Sequence, residues 1–368
     1  MSKLLLITRY SLISFLVVLL WGCLDKIELE VPKGFETTFV IQGSVIVGNP
    51  SKVNINASRL FDFTSNSVQS VNVRSVIIED ENGNQIEIPP TDEIGTYEAT
   101  VFANNPNFSF EEGKSYRLLI TTFDNRNFAS AFETALPKIE ADALSSEVFT
   151  KEISDGMEGF IDKPFMRYRI STPINYLDTP DKPYLRWTSE RTFQITDGSN
   201  VVPVEPKTCY VTQKTDVNDI FVLDASSITV DKLDNFTVLE DLIRSNYAEG
   251  QYMTIFQQTI NKGVYDYWNS IKIITERSGS MFDPPAGKIT SNISNPDDPS
   301  EEIFGYFFVA QQDTIRLYVS PEMAGSPENA CPPPNEMAPP GGGCPVLICC
   351  DCLSAERSST GKPKFWKE

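Results

Sequence analysis

Val73-Arg74-Ser75-Val76-Ile77-Ile78-Glu79-Asp80, Glu81-Asn82-Gly83-Asn84 and Gln85-Ile86-Glu87-Ile88 follow one another, and their reading decides the fold class. Two apolar, β-branched runs flank an Asn-Gly pair, and Asn-Gly supplies the positive φ angles of a tight hairpin. The turn resembles a calcium loop only superficially: its glycine stands one place early and no glutamate closes a twelve-residue loop. The pattern repeats on both sides. Thr38–Val47 is β-branched and apolar, and Gly48-Asn49-Pro50 breaks it. Tyr97-Glu98-Ala99-Thr100-Val101 alternates, which puts Tyr97, Ala99 and Val101 on one face. Gly113-Lys114-Ser115-Tyr116 leads into Leu118 and Ile120, with Tyr116 where a sandwich has its tyrosine corner. Phe128, Ser130 and Phe132 mark a last strand before Pro137. Short strands punctuated roughly every 8–12 residues, with no competing helical period, predict an immunoglobulin-like β-sandwich over 37–136.

From Pro137 a larger β-rich domain is expected, 137–368, with one or two helices. Its strands are Phe165–Ser171, Tyr184–Thr188, Phe193–Ile195, Thr208–Gln213, Gly287–Thr290, Ile303–Ala310 and Thr314–Ser320. Lys262–Arg277 carries Val264, Trp268, Ile271 and Thr275 at helical spacing, and Gly279 stands just past its end. Leu239–Tyr247 reads as a second, shorter helix. Residues 321–345 are rich in Pro and Gly and have no period.

The whole chain is mainly β by this reading, and 368 residues suffice for two or three cores. Lys plus Arg number 31 against 50 Asp plus Glu, a formal charge of -19, which argues against nucleic acid as a partner. The chain has no histidine. That removes Ser-His-Asp and Cys-His catalysis and imidazole zinc sites. No catalytic residue, cofactor or metal site is expected.

The N-terminus has the layout of a secretion signal. Lys3 and Arg9 are the charges before the apolar run Leu12–Leu20, and Leu20-Trp21-Gly22-Cys23 resembles the bacterial lipobox. Residues 1–22 are thus expected to be a lipoprotein signal peptide, with Cys23 the site of lipid attachment and 23–36 a tether. Acyl chains on Cys23 would anchor the protein at ~0.8 kcal/mol per buried methylene. Six further cysteines remain in an exported chain: Cys209, Cys331, Cys344, Cys349, Cys350 and Cys352. Three disulfides are expected, in a connectivity that spacing leaves open. Cys-Cys-Asp-Cys lacks the spacing of a zinc knuckle. Trp187, Trp268 and Trp366, with Tyr265 and Tyr267, are either a platform for sugar rings or, as is commoner at such spacing, core. Asn295–Glu302 reads as a solvated acidic loop.

Several passages in order carry a resemblance: Gly22-Cys23 with the acidic segment after it, Val76–Gly83 with Gly95-Thr96-Tyr97, and Val264-Tyr265-Asp266-Tyr267-Trp268. Phe282-Asp283-Pro284-Pro285, Ile289–Ile293, Gly305-Tyr306-Phe307, Cys349-Cys350-Asp351-Cys352 and Lys362-Pro363-Lys364-Phe365-Trp366 complete it. Through them the chain resembles a family of Bacteroidota lipoproteins of unknown function, usually encoded beside TonB-dependent receptors. The resemblance implies a lipid-anchored protein of the outer membrane, facing the cell exterior, whose partner is a TonB-dependent barrel. It implies an accessory or substrate-capturing role and no enzymatic activity. A free-standing glycan-binding or adhesive surface lipoprotein is the alternative, and a carboxylate-based hydrolase a third.

Overall fold

The computed structural model describes residues 38–60, 69–156, 159–176, 181–198, 206–215, 220–276, 289–331 and 346–367. Cys23, the signal peptide, the tether and Cys344 lie outside the described residues. The protein is mainly β. The first strands in chain order are β1 (Phe39–Val47), β2 (Ser51–Arg59), β3 (Gln69–Ser70), β4 (Ser75–Asp80), β5 (Gln85–Glu87), β6 (Thr96–Val101), β7 (Ser115–Thr121), β8 (Asn127–Ser130) and β9 (Glu133–Thr134). Next come β10 (Ala143–Ser154), β11 (Phe160–Pro173), β12 (Tyr184–Thr196), β13 (Thr208–Lys214), β14 (Phe221–Asp224), β15 (Lys232–Leu242) and β16 (Gln251–Ile260). Helix α1 (Lys262–Thr275) precedes β17 (Ile293–Ser294) and the long β18 (Phe304–Val319); the short α2 (Leu347–Cys350) precedes β19 (Ser358–Ser359).

Among the described residues the strands form three sheets, and the largest is shared. It runs β19-β13-β12-β16-β18-β1-β2-β3, with β6 on β2 and β14 on β12. A second sheet, β17-β8-β7-β4-β5 with β9 on β7, packs on the β1 end; the third, β10-β11-β15, packs on the β12–β16 end. The hinge of the design is β18. Its first half runs parallel to β1, from Val40 opposite Phe304 to Val47 opposite Gln311. Its second half runs antiparallel to β16, from Thr259 opposite Gln311 to Gln251 opposite Val319.

Side-chain alternation explains this division. Phe307 and Val309 point into a core with Ile41, Val45, Ile55, Ile78 and Leu118, where each full burial is worth about 1.5–3 kcal/mol. Tyr306, Phe308 and Ala310 point the other way, against Ile260, Val264 and Tyr267. Gly305 has φ +97°, and a Cβ there would stand 1.9 Å from the Ile41 carbonyl oxygen. Only glycine lets β18 press so closely on β1. The sandwich core therefore includes Ile293, Ile303, Phe307 and Val309. The described residues on either side of residue 136 thus share one sheet and the sandwich core, while the other cores are built mainly from the second segment.

The hairpin at 80–84 forms as its residues dictate. Asp80 Oδ1 accepts the N–H groups of Asn82 and Asn84, both at 2.9 Å, and Gly83 takes φ +85°. The Tyr116 hydroxyl accepts the Glu111 N–H at 2.7 Å and donates to the Ser109 carbonyl at 3.3 Å, a tyrosine corner. The second core gathers Met166, Tyr168 and Ile170 from β11, Leu185 and Trp187 from β12, and Met253 and Ile255 from β16.

Three expectations change. Leu239–Tyr247 is not helical: residues to Leu242 finish β15, paired with β11, and only Ser245–Tyr247 makes a 3-10 turn. Leu239 opposite Tyr168 buries its side chain in a ladder, which a helix of nine residues, marginal by itself, could not match. Tyr184–Thr188 and Phe193–Ile195 are one strand, as are Ile303–Ala310 and Thr314–Ser320. Ile289 and Thr290, the described part of the expected Gly287–Thr290 strand, are irregular. The Asn295–Glu302 loop is solvated as expected, with residues 296–300 exposed, and Arg126 Nη1 holds its end to the sandwich through Glu301 Oε1 at 2.7 Å.

Candidate functional site

A half-open cleft of about 250 Å³ lies where α1 crosses the outer face of the shared sheet. Strand alternation builds its floor. β1 turns Ile41, Gly43 and Val45 inward and so presents Gln42 and Ser44 outward. β2 turns Val53 and Ile55 inward and presents Asn54 and Asn56. Register then aligns Tyr306, Gln42, Asn56 and Thr96 in one row and Phe308, Ser44, Asn54 and Glu98 in the next. The amides are linked: Asn56 Nδ2 donates to Asn54 Oδ1 at 2.7 Å, and Asn54 Nδ2 donates to Glu98 Oε1 at 2.5 Å.

Tyr267 and Trp268 of α1 form one wall, with ring centroids 5.4 Å apart; Tyr267 is 5.0 Å from Tyr306. Arg186 of β12 and Lys214 at the end of β13 complete the lining. Arg186 stacks on Trp268 at 4.0 Å and donates from Nη1 to Gln258 Oε1 at 2.9 Å. Gln258 in turn donates to Gln312 Oε1 at 3.1 Å. Among the described residues no carboxylate lies within ion-pair distance of Arg186 or Lys214. Burial pulls the Arg186 guanidinium down to about 10, still protonated at neutrality.

A buried carboxylate supports the cleft from behind. Glu133 accepts from Tyr306 Oη at 3.0 Å, Asn261 Nδ2 at 2.9 Å and Asn292 Nδ2 at 3.1 Å. Burial raises its pKa against the influence of those three donors. Asn261 stands immediately before α1, so Glu133 ties the helix to the sandwich.

The sequence-predicted cysteines lie elsewhere. Cys209 bonds Cys352 and Cys331 bonds Cys349, and Cys350 is also disulfide-bonded. Cys209–Cys352 staples the C-terminal tail onto β13, and Cys331–Cys349 joins two parts of the tail itself. Asp197 reinforces this corner: burial opposes its charge, yet the Lys207 ammonium at 2.6 Å and the N–H groups of Lys207 and Cys352 hold its carboxyl below the usual range. Of the aromatic residues weighed as a sugar platform, Trp187 is core. Trp366 is packed under the tail against Tyr210, Tyr252 and Tyr318, whereas Tyr267 and Trp268 line the cleft. Gln42, Asn54, Asn56, Arg186 and Lys214 were not foreseen as a group. The signal available was polar alternation in Lys52-Val53-Asn54-Ile55-Asn56-Ala57, and an arginine at the outward position of Leu185-Arg186-Trp187.

A family model described as "Domain of unknown function (DUF4249)" matches residues 25–316, well over half of the chain. The chain belongs to that family. The DUF4249 match takes in every residue that lines the cleft and stops short of Cys331 and the stapled tail. Neither the curated proteins nor the solved structures yield a match. Among the described residues, no helix is long and apolar enough to cross a membrane.

Proposed function

We propose that the protein is a lipid-anchored, ligand-capturing accessory of a TonB-dependent outer-membrane barrel in Bacteroidota, facing the cell exterior and catalysing no reaction. The observation that carries the capture role is the cleft, whose lining combines outward amides, aromatic rings and two cations with no carboxylate among them. Such a lining binds and orients, whereas hydrolysis without histidine would call for paired carboxylates. The anchor reading rests on Leu20-Trp21-Gly22-Cys23 behind an apolar run. Membrane attachment confines the cleft to two dimensions and raises its effective concentration at a membrane partner. The barrel as partner rests on the resemblance described above.

Affinity purification of a C-terminally tagged form from gently solubilised membranes tests the partnership. A TonB-dependent barrel recovered in near-equal amount is the expected result. Recovery of the protein alone, with its lipid intact, overturns the accessory role and leaves the second reading, a free-standing glycan-binding lipoprotein, which the same cleft favours.

A further inference from the structure

We infer that the cleft under α1 takes an acidic sugar residue, its carboxylate on Arg186 and Lys214 and its hydroxyls on the amides of Gln42, Asn54 and Asn56. This assignment rests on the ligand-capture reading and names the chemistry of what is captured.

The charge pattern is the first argument. In a chain with 50 acidic and 31 basic side chains, carboxylate partners are plentiful. Arg167, Arg169, Arg191 and Lys207 each hold one. Arg186 and Lys214 meet at one cleft and, among the described residues, neither does. The guanidinium is instead fixed by neutral contacts, the Trp268 ring at 4.0 Å and the Gln258 carbonyl at 2.9 Å. A half-buried, positioned and uncompensated arginine is a ready partner for a planar carboxylate, which it can grip through two N–H groups.

The floor supplies the second argument. Asn54, Asn56 and Gln42 stand side by side and already bond one another, Glu98, Thr96 and Tyr267, and the second N–H and second lone pair of each amide suit vicinal hydroxyls, each of which both donates and accepts. Glu98 accepts from Asn54 at the far end of the amide row. It repels an anion there and so directs the ligand's carboxylate toward Arg186. Tyr267 and Trp268 give an apolar wall for the ring's C–H groups. About 250 Å³ is below the roughly 300–1,000 Å³ of drug-sized sites, which suits a single ring.

Titration calorimetry on the full, lipid-bearing protein in detergent tests this, with galacturonate, glucuronate and N-acetylneuraminate as acidic probes, galactose and glucose as neutral ones, and acetate as a bare anion. At least one acidic sugar should bind with Kd below about 1 mM, and the neutral sugars and acetate at least about tenfold more weakly. Arg186→Gln should weaken the acidic sugar about tenfold or more, as expected for a lost charge-assisted contact. Lys214→Gln, at an exposed position where folding is not at stake, should weaken it a few-fold. The assignment is overturned if no acidic probe binds below about 1 mM, if acetate or the neutral sugars bind equally well, or if both variants bind like wild type. Barrel co-purification separates the two failures: a barrel recovered without sugar binding removes the ligand assignment only, and sugar binding without a barrel removes the accessory role only.

Discussion

Glu133 shows how one side chain joins distant parts of the chain. Its carboxylate faces three neutral donors and, among the described residues, no cation, so burial dominates and its pKa is raised. An acid whose folded pKa lies above its unfolded value stabilises the fold fully below the unfolded pKa, and that contribution is lost as pH climbs through the folded value. The wild type should therefore gain stability relative to Glu133→Gln as pH falls from neutrality toward the ordinary value of 4.5. Urea midpoints of both proteins across that range check it, and a slope of opposite sign would contradict it. Tyr306→Phe removes one of the three donors and should cost about 1.5–3 kcal/mol near neutrality, measured the same way. Nothing in the sequence marks Glu133. It lies in a two-residue strand, and its partners Asn261, Asn292 and Tyr306 are more than 120 positions away.

Among the elements, β18 depends on Gly305 for its approach to β1. Gly305→Ala would place a methyl group against the Ile41 carbonyl at a φ that L-residues avoid. A loss of about 2–4 kcal/mol is expected from strain and displaced packing together. Denaturation midpoints measure the loss, and amide exchange should rise first in Val40–Ile46. The strands that were legible from sequence are those with one wet face: Phe39–Val47 and Thr96–Val101 alternate because water lies on one side. Gln251–Ile260 escaped notice for the opposite reason. Nine of its ten residues are buried, including Gln251, Gln257 and Gln258, so neither alternation nor an apolar run distinguishes it. The end of β15 reads as the start of a helix because Leu239, Ile243 and Tyr247 recur four positions apart, and all three are buried although the chain there is a strand and a short turn.

At the scale of the molecule, disulfides take over where the core is thin. The third apolar cluster consists of Phe193, Ile195 and Val211 with Cys209, Cys331, Cys349 and Cys352, so the tail is held by its cystines as much as by burial. The Cys209–Cys352 bond spans 143 positions, and its loss as the paired serine variant should cost about 4–5 kcal/mol by loop entropy. Limited proteolysis should then cut near 346–367 while the shared sheet from β13 onward stays intact, and uniform loss of the whole fold would contradict that picture. Cys23→Ser should move the protein from the membrane to the soluble fraction, checked by fractionation. The even number of cysteines beyond Cys23, six, made the staples legible, although not which cysteines pair. The cleft was not legible, because it exists only after β1, β2, β12, β13, α1 and β18 converge.

The parallel pairing of β1 with β18 also has a mechanical meaning. Tension drawn from the Thr38 side tugs β1 lengthwise along β18, whose opposite half is gripped by β16. All eight registered pairs from Val40–Phe304 to Val47–Gln311 are then sheared at once instead of peeling one after another. Rupture under force is set by the barrier to unfolding, and shear loading shares that barrier across the whole ladder. The molecule can thus be towed by its leading end while Gln42 and Ser44, on that same strand, keep their places in the cleft.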